Sequence, residues 1–206
     1  MHERFKRKNE IRINHMIDLF DSLRRPDSFK EAYGLCGVAC GQYEAEAKAL
    51  WDIIKMLDLK SIVEIGRCLS GNSYLMACAA PNLERFLSLD IADWRQDEPM
   101  QKWFDYHGIK ANIEVGDSLE FEPWGEWDFV YIDGGHTESI VTSDINSWKD
   151  RTKYIGFHDF ADKNGKNKHK RYYKGVVEAI QTARDENGWQ QIGKRARSEV
   201  VFEIKK

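Results

Sequence analysis

The chain has only four cysteines, at positions 36, 40, 68 and 78, too sparse for a disulfide scaffold and without the CxxC pairs of a structural zinc site. Buried thiols in a reducing compartment are the expected state. Charge of one sign is also lacking: 31 Lys and Arg stand against 34 Asp and Glu, a net charge of -3, so no global basic field points to nucleic acid as a partner. Nowhere do the roughly 18 apolar residues of a membrane span run together, and the N-terminus (His2, Glu3, Arg4, Lys6, Arg7, Lys8) has no apolar segment behind it. A cytoplasmic protein without membrane contact is expected. No internal repeat or low-complexity tract is present.

What the chain does contain is a regular alternation. Helical spacing runs from Glu10 to Leu23 until Pro26, a stretch punctuated by Gly34, Gly37 and Gly41 follows, and an amphipathic helix is predicted over Tyr43 to Leu57. Apolar runs at Ser61 to Ile65, Arg85 to Leu89, Asn112 to Val115, Trp127 to Ile132 and Lys153 to Phe157 read as strands. Helical patterns near Asn72 to Ala80, Asp97 to Tyr106 and Thr137 to Trp148 separate them. Such alternation predicts an α/β, Rossmann-like fold with a mostly parallel sheet and helices on both faces. A last helix, Gly175 to Asn187, precedes two runs, Trp189 to Gly193 and Glu199 to Ile204, whose short connection predicts a hairpin and an antiparallel strand in a seven-stranded sheet. The expected organisation is an N-terminal helical extension over 1–41 and one domain over 42–206.

The first strand runs into Gly66-Arg-Cys-Leu-Ser-Gly71 and then a helix, where free N–H groups and close backbone approach favour a ligand. The spacing is not the GxGxxG of dinucleotide enzymes, and Glu64 precedes the first glycine. Asp90 ends the second strand, where a carboxylate can accept from both ribose hydroxyls. Together Glu64, Gly66, Gly71 and Asp90 predict a nucleoside cofactor. Gly116-Asp117-Ser118 follows the third strand, where an adenine would lie, although Asp117 also suits a helix cap. The fourth strand delivers Asp133-Gly-Gly-His136 to the carboxyl edge of the sheet, and the fifth delivers His158-Asp159.

These residues carry a resemblance. VEIG…SGNS, FLSLD, VGDS, FVYIDGGHTE…DINSW and GFHDF resemble the small class I methyltransferases grouped with macrocin O-methyltransferase and the cephalosporin-hydroxylase-like proteins, over about Gln42 to Phe160. The resemblance implies an S-adenosylmethionine (SAM)-dependent methyltransferase, with oxygen as the preferred acceptor atom. It implies Glu64, Gly66 and Ser73 along the methionine part of SAM, Asp90 on the ribose, and Asp117 with Ser118 by the adenine. In metal-dependent members the acids matching Asp133 and Asp159 bind Mg²⁺, with a further carboxylate where this chain has His158. A hard cation prefers oxygen ligands, so Mg²⁺ is the weaker expectation. The usual IDGD run is here Ile132-Asp-Gly-Gly135, which loses an acid and leaves His136 as the nearest base.

Asp133, His136 and His158 are thus the catalytic candidates, His158 also suiting a brace on the Asp133 loop. The expected partner is a small hydroxylated acceptor, and a homo-oligomer stays open. The segment 162–174 holds six Lys and Arg and reads either as a lid for an anionic acceptor or as a solvated loop. Two rivals remain at this stage: a SAM-binding protein of the same fold without catalysis, and an NAD(P)-dependent oxidoreductase.

Overall fold

The computed structural model describes residues 2–160, 170–196 and 198–204. Their order is α1 (His2–Asp21), α2 (Phe29–Cys40), α3 (Glu44–Leu57), β1 (Ser61–Ile65), α4 (Gly71–Ala79), β2 (Arg85–Asp90), α5 (Asp97–Tyr106), β3 (Lys110–Val115), β4 (Trp127–Ile132), α6 (Glu138–Trp148), β5 (Thr152–Phe157), α7 (Lys170–Asn187), β6 (Gln190–Ala196) and β7 (Glu199–Glu203). The strands form one seven-stranded sheet in the order β3-β2-β1-β4-β5-β7-β6. The strands β1 to β5 pair in parallel, and β7 lies antiparallel between β5 and β6. The Rossmann-like fold expected from the sequence is the fold observed.

Period-two alternation sorts the strand side chains onto two faces. Ile62, Phe86, Phe129 and Tyr131 enter one core, with Leu50, Ile54, Tyr74 and Trp103 from the helices before β3. Val63, Leu87, Val130, Ile132 and Ile155 enter the other, with Ile145 and Trp148 of α6 and Ile180 of α7. β1 is buried along its whole length, as a central parallel strand covered on both faces must be.

The Gly-punctuated stretch turns out to be a helix, α2. Ser28 caps its start by accepting from the Glu31 N–H, and Gly41 ends it in the left-handed region at φ 68°. Gly37 is tolerated inside because the Tyr33 ring, stacked on Phe29, lies 3.1 Å from where a Cβ would stand. Packing here outweighs helix propensity.

The last turn of α2 meets the start of α4 backbone to backbone. A Cβ on Gly71 would lie 2.4 Å from the Ala39 carbonyl carbon and 2.4 Å from the Cys40 nitrogen. Gly71→Ala must therefore push two main chains apart, and we expect a loss of about 3 kcal/mol in unfolding free energy, at the upper end for overpacking. Urea denaturation measures it. Wild-type stability in this variant would mean that α2 does not seat on α4 as described.

Candidate active site

Past the ends of the strands, the ladder continues into the loops. Gly66 N–H donates to Leu89 O (2.8 Å), Gly116 N–H to Asp90 O (2.9 Å), Asp133 N–H to Ile65 O (2.8 Å) and His158 N–H to Ile132 O (3.2 Å). Four turns are thereby fixed side by side at the carboxyl edge, where β1 is flanked by β2 and β4 and the strand order reverses. Ligands of open α/β sheets bind at such a switch point. Gly66 is required there twice over: its φ is 89°, and a Cβ would stand 2.4 Å from the Asp133 carbonyl oxygen.

A cavity of about 440 Å³ opens between these turns. Gly66, Cys68, Asp90, Asp117, Ser118, Asp133 and His136 line it, with Ile65, Leu89, Ile91 and Ile140 as apolar walls. Such a mixture of apolar walls and a few convergent polar groups is typical of small-molecule sites. Asp90 is held by the loops it serves, accepting from the Cys68 N–H and the Ala92 N–H, each at 2.8 Å. Asp117 accepts from the Leu119 N–H at 3.0 Å, so it caps its own turn while it faces the cavity.

Three of the predicted residues stand behind the wall. Gly71 is the contact with α2 just described. Glu64 is buried, and one of its carboxylate oxygens accepts from the Ser73 hydroxyl at 2.5 Å and the Ser88 hydroxyl at 2.7 Å. Its other oxygen, Oε1, is buried without a hydrogen-bond partner. Burial raises the Glu64 pKa to about 7, against the pull of the two serines and Arg67.

A carboxyl raised from 4.5 to about 7 on folding favours the folded state in full below its unfolded pKa. That contribution, roughly 3 kcal/mol, is lost as pH rises through about 7. Asp144, buried on α6 and raised by burial to about 6, acts with the same sign. We expect unfolding free energy to fall between about pH 4.5 and 7, and Glu64→Gln to flatten most of that slope. Identical slopes for the two proteins in pH-resolved urea denaturation would show that Glu64 is ionised throughout.

At the other end of the cavity the acids and histidines converge. His136 Nε2 lies 2.7 Å from Asp159 Oδ2. His158 Nδ1 lies 3.3 Å from Asp133 Oδ1 and 3.3 Å from Asp159 Oδ1, and its Nε2 lies 3.9 Å from Glu46 Oε2. Glu46 opens α3 and is locked by the Tyr43 N–H (2.9 Å) and the Ser198 hydroxyl (2.7 Å). Asn72 reaches Asp133 Oδ2 at 3.4 Å.

Charge follows from this geometry. Burial opposes ionisation of His158, but Asp133, Asp159 and Glu46 together raise its pKa well above the ordinary histidine value. His136 is raised by its bond to Asp159. Burial would lift Asp159, yet the two histidines hold it well below the usual carboxylate range. Glu46, lifted by burial, is brought down to about 2 by His158, Ser198 and the Tyr43 N–H.

Sequence reasoning missed several members of this site. Glu46 lies 112 positions before His158, and only the seating of α3 over β7 joins them. Arg67, inside the glycine turn, is buried and pairs with both carboxylate oxygens of Asp97, fixing the turn to α5. Cys68 is exposed where a buried thiol was expected, and it lines the cavity. Cys68, Ser70 and Asp159 have φ of 46°, 61° and 63°, so backbone strain of the kind that gathers at functional sites is present around the cavity. At Gly135, the position that resembling proteins fill with an acid, a Cβ would lie 2.6 Å from the Ile140 Cγ2, so a side chain there would have to displace Ile140. The Lys- and Arg-rich segment falls outside the described residues as far as position 169, and its last part opens α7.

The sheet order, with β7 inserted between β5 and β6, separates this fold from the 3-2-1-4-5-6 order of dinucleotide-binding enzymes. It is a Rossmann-like fold that solved methyltransferases share. The Podospora anserina methyltransferase PaMTH1, solved with S-adenosylhomocysteine (SAH), superposes with a TM-score of 0.64 at 11% identity, over 88% of this chain and 89% of that one. The Bacillus cereus O-methyltransferase in complex with SAH gives 0.58 at 15% identity, over 88% and 92%. A Staphylococcus aureus protein assigned as a caffeoyl-CoA O-methyltransferase gives 0.62 at 13%, over 95% and 100%. At these identities the likeness is one of fold. No family model matches the chain, and no curated protein matches its sequence. Among the described residues, no helix is long and apolar enough to cross a membrane.

Proposed function

We propose that the protein is a SAM-dependent methyltransferase acting on the oxygen of a small hydroxylated acceptor. The observation that carries this reading is the cavity of about 440 Å³ with Asp90, Asp117 and Ser118 along one side and Asp133 and His136 at the other. Solved neighbours of the same fold hold SAH, which supports the same ligand here. The carboxylates of Asp90 and Asp117 in that lining are acceptors for the hydroxyl and amine donors of an adenosyl group, a further sign of fit.

In this reading Asp90 takes the ribose hydroxyls, Asp117 and Ser118 the adenine edge, and Gly66 lets the backbone approach the amino-acid part. Glu64, behind the wall and held by Ser73 and Ser88, braces the turn after β1 along which the amino-acid part would lie. Gly71 serves indirectly, by seating α4 so that Ser73 meets Glu64. SAM supplies an electrophilic methyl group on sulfur. The protein's own task is then to align the acceptor and remove its proton.

His136 is suited to that removal. Its Nε2 is engaged by Asp159, which holds the ring in the cavity wall. A base held by a carboxylate is one of the recurring arrangements by which enzymes deprotonate a hydroxyl. Asp133, in the wall of the same cavity, orients the acceptor hydroxyl. Gly135 carries no acid, and Ile140 packs over it, which leaves this work to His136.

Isothermal titration calorimetry tests the cofactor assignment. Micromolar binding of SAH with no response to NAD(H) is the expected result, and the reverse pattern would remove the proposal.

A further inference from the structure

In metal-dependent members of the group this sequence resembles, the acids matching Asp133 and Asp159 bind Mg²⁺. In this protein that position is filled by a side chain. His158 Nδ1 stands 3.3 Å from an oxygen of each acid, while the remaining oxygen of Asp159 is taken by His136 Nε2 at 2.7 Å. We infer that the imidazole of His158 takes the place of a metal ion, bridging Asp133 and Asp159 as a built-in positioning group, so that this site works without a divalent cation.

Three features hold the ring there. Its backbone N–H is bonded to Ile132 O at 3.2 Å as the continuation of β5 onto β4. The side chain is largely buried, with Glu46 Oε2 3.9 Å from its second nitrogen. Glu46 is itself fixed from two elements, by the Tyr43 N–H at the start of α3 and by Ser198 just before β7. The ring is thus surrounded by three carboxylates from three parts of the chain, and it cannot leave without uncovering all three.

A hard cation such as Mg²⁺ needs near-octahedral oxygen ligation at about 2.0–2.1 Å. To reach that distance from both acids it would have to enter where His158 Nδ1 now stands between them, and it would displace the contacts of Asp159 with one or both histidines. The donor atoms of Asp133, His136 and Asp159 do lie within 4.8 Å of one another, so a metal accepting one nitrogen ligand is the rival occupant. It meets the same obstacle, because each oxygen of Asp159 already faces a ring nitrogen.

The test titrates the purified protein with MgCl₂, MnCl₂ and ZnCl₂ in a calorimeter, and it adds SAH in the same series. No saturable heat from any of the three ions below the millimolar range is expected from the wild type. His158→Asp, which turns the bridge into a third acid, is expected to gain saturable Mg²⁺ binding that Asp133→Asn abolishes again. Circular dichroism confirms that the variants are folded, and if His158→Asp is not, the wild-type titrations decide alone. Saturable micromolar binding of any of these ions to the wild type, lost in Asp133→Asn, overturns the inference. The geometric claim stands apart from the methyltransferase reading, on which only its consequence for turnover rests. Failure to bind SAH removes that reading, whereas metal binding with SAH affinity intact removes only this one.

Discussion

Asp90→Ala is expected to weaken SAH binding by 10²-fold or more, to the limit of what calorimetry detects. Hydrogen bonds to an ionised group contribute roughly 1.5–3 kcal/mol each, and the two ribose hydroxyls would each donate one to this carboxylate. A second loss accompanies the first. Asp90 also accepts from the Cys68 and Ala92 N–H groups, so alanine leaves two loop amides to find other partners and the glycine turn loosens. Asp90→Asn separates the two contributions: it keeps the shape and one acceptor oxygen, and it should fall between alanine and wild type. The thermal midpoint controls for unfolding. Wild-type affinity in a folded alanine variant would mean that the nucleoside does not lie against β2, and the cofactor assignment would fail with it.

The reason the place of Asp90 at the carboxyl edge could be read from sequence is physical. A strand of alternating apolar residues that stops at an acid puts that acid at the carboxyl edge, and the fold then has little freedom over where it goes. The same holds for Asp133, His136, His158 and Asp159, each set at a strand end by hydrophobic patterning that also fixed β1, β2, β4 and β5. Long-range coincidences were not legible. Nothing in the local sequence of Tyr43 to Leu57 says that Glu46 will meet His158 and Ser198, because that contact depends on how α3 seats against β7. Gly71 shows the complementary difficulty. Its place at a strand–helix turn suggests a ligand, while the structure sets it against the backbone of α2. Two different needs for a missing Cβ leave the same letter in the sequence. The helix α2 was hidden for a similar reason, since Gly37 reads as a break unless the Tyr33 ring beside it is known.

His136→Ala is expected to lower the turnover number by about 10² to 10⁴-fold, the span usual for a general base, while SAH affinity stays within a small factor of wild type. The separation follows from where the residues stand. His136 lies at the end of the cavity away from Asp117 and Ser118, half exposed, with Asp159 behind it. Removing its ring leaves the nucleoside contacts in place, so the loss should fall on the chemical step. Asp159→Asn should cost less than His136→Ala, because it weakens the hold on the ring without removing the base. The double variant should be no worse than His136→Ala, since two residues that act as one unit do not add. A screen over hydroxylated aromatics, sugars and nucleotides with labelled SAM supplies the acceptor these measurements need. If His136→Ala turned over that acceptor at the wild-type rate, the base would have to be sought elsewhere at this edge, and Asp133, the other acid in the cavity wall, would be the next residue to remove.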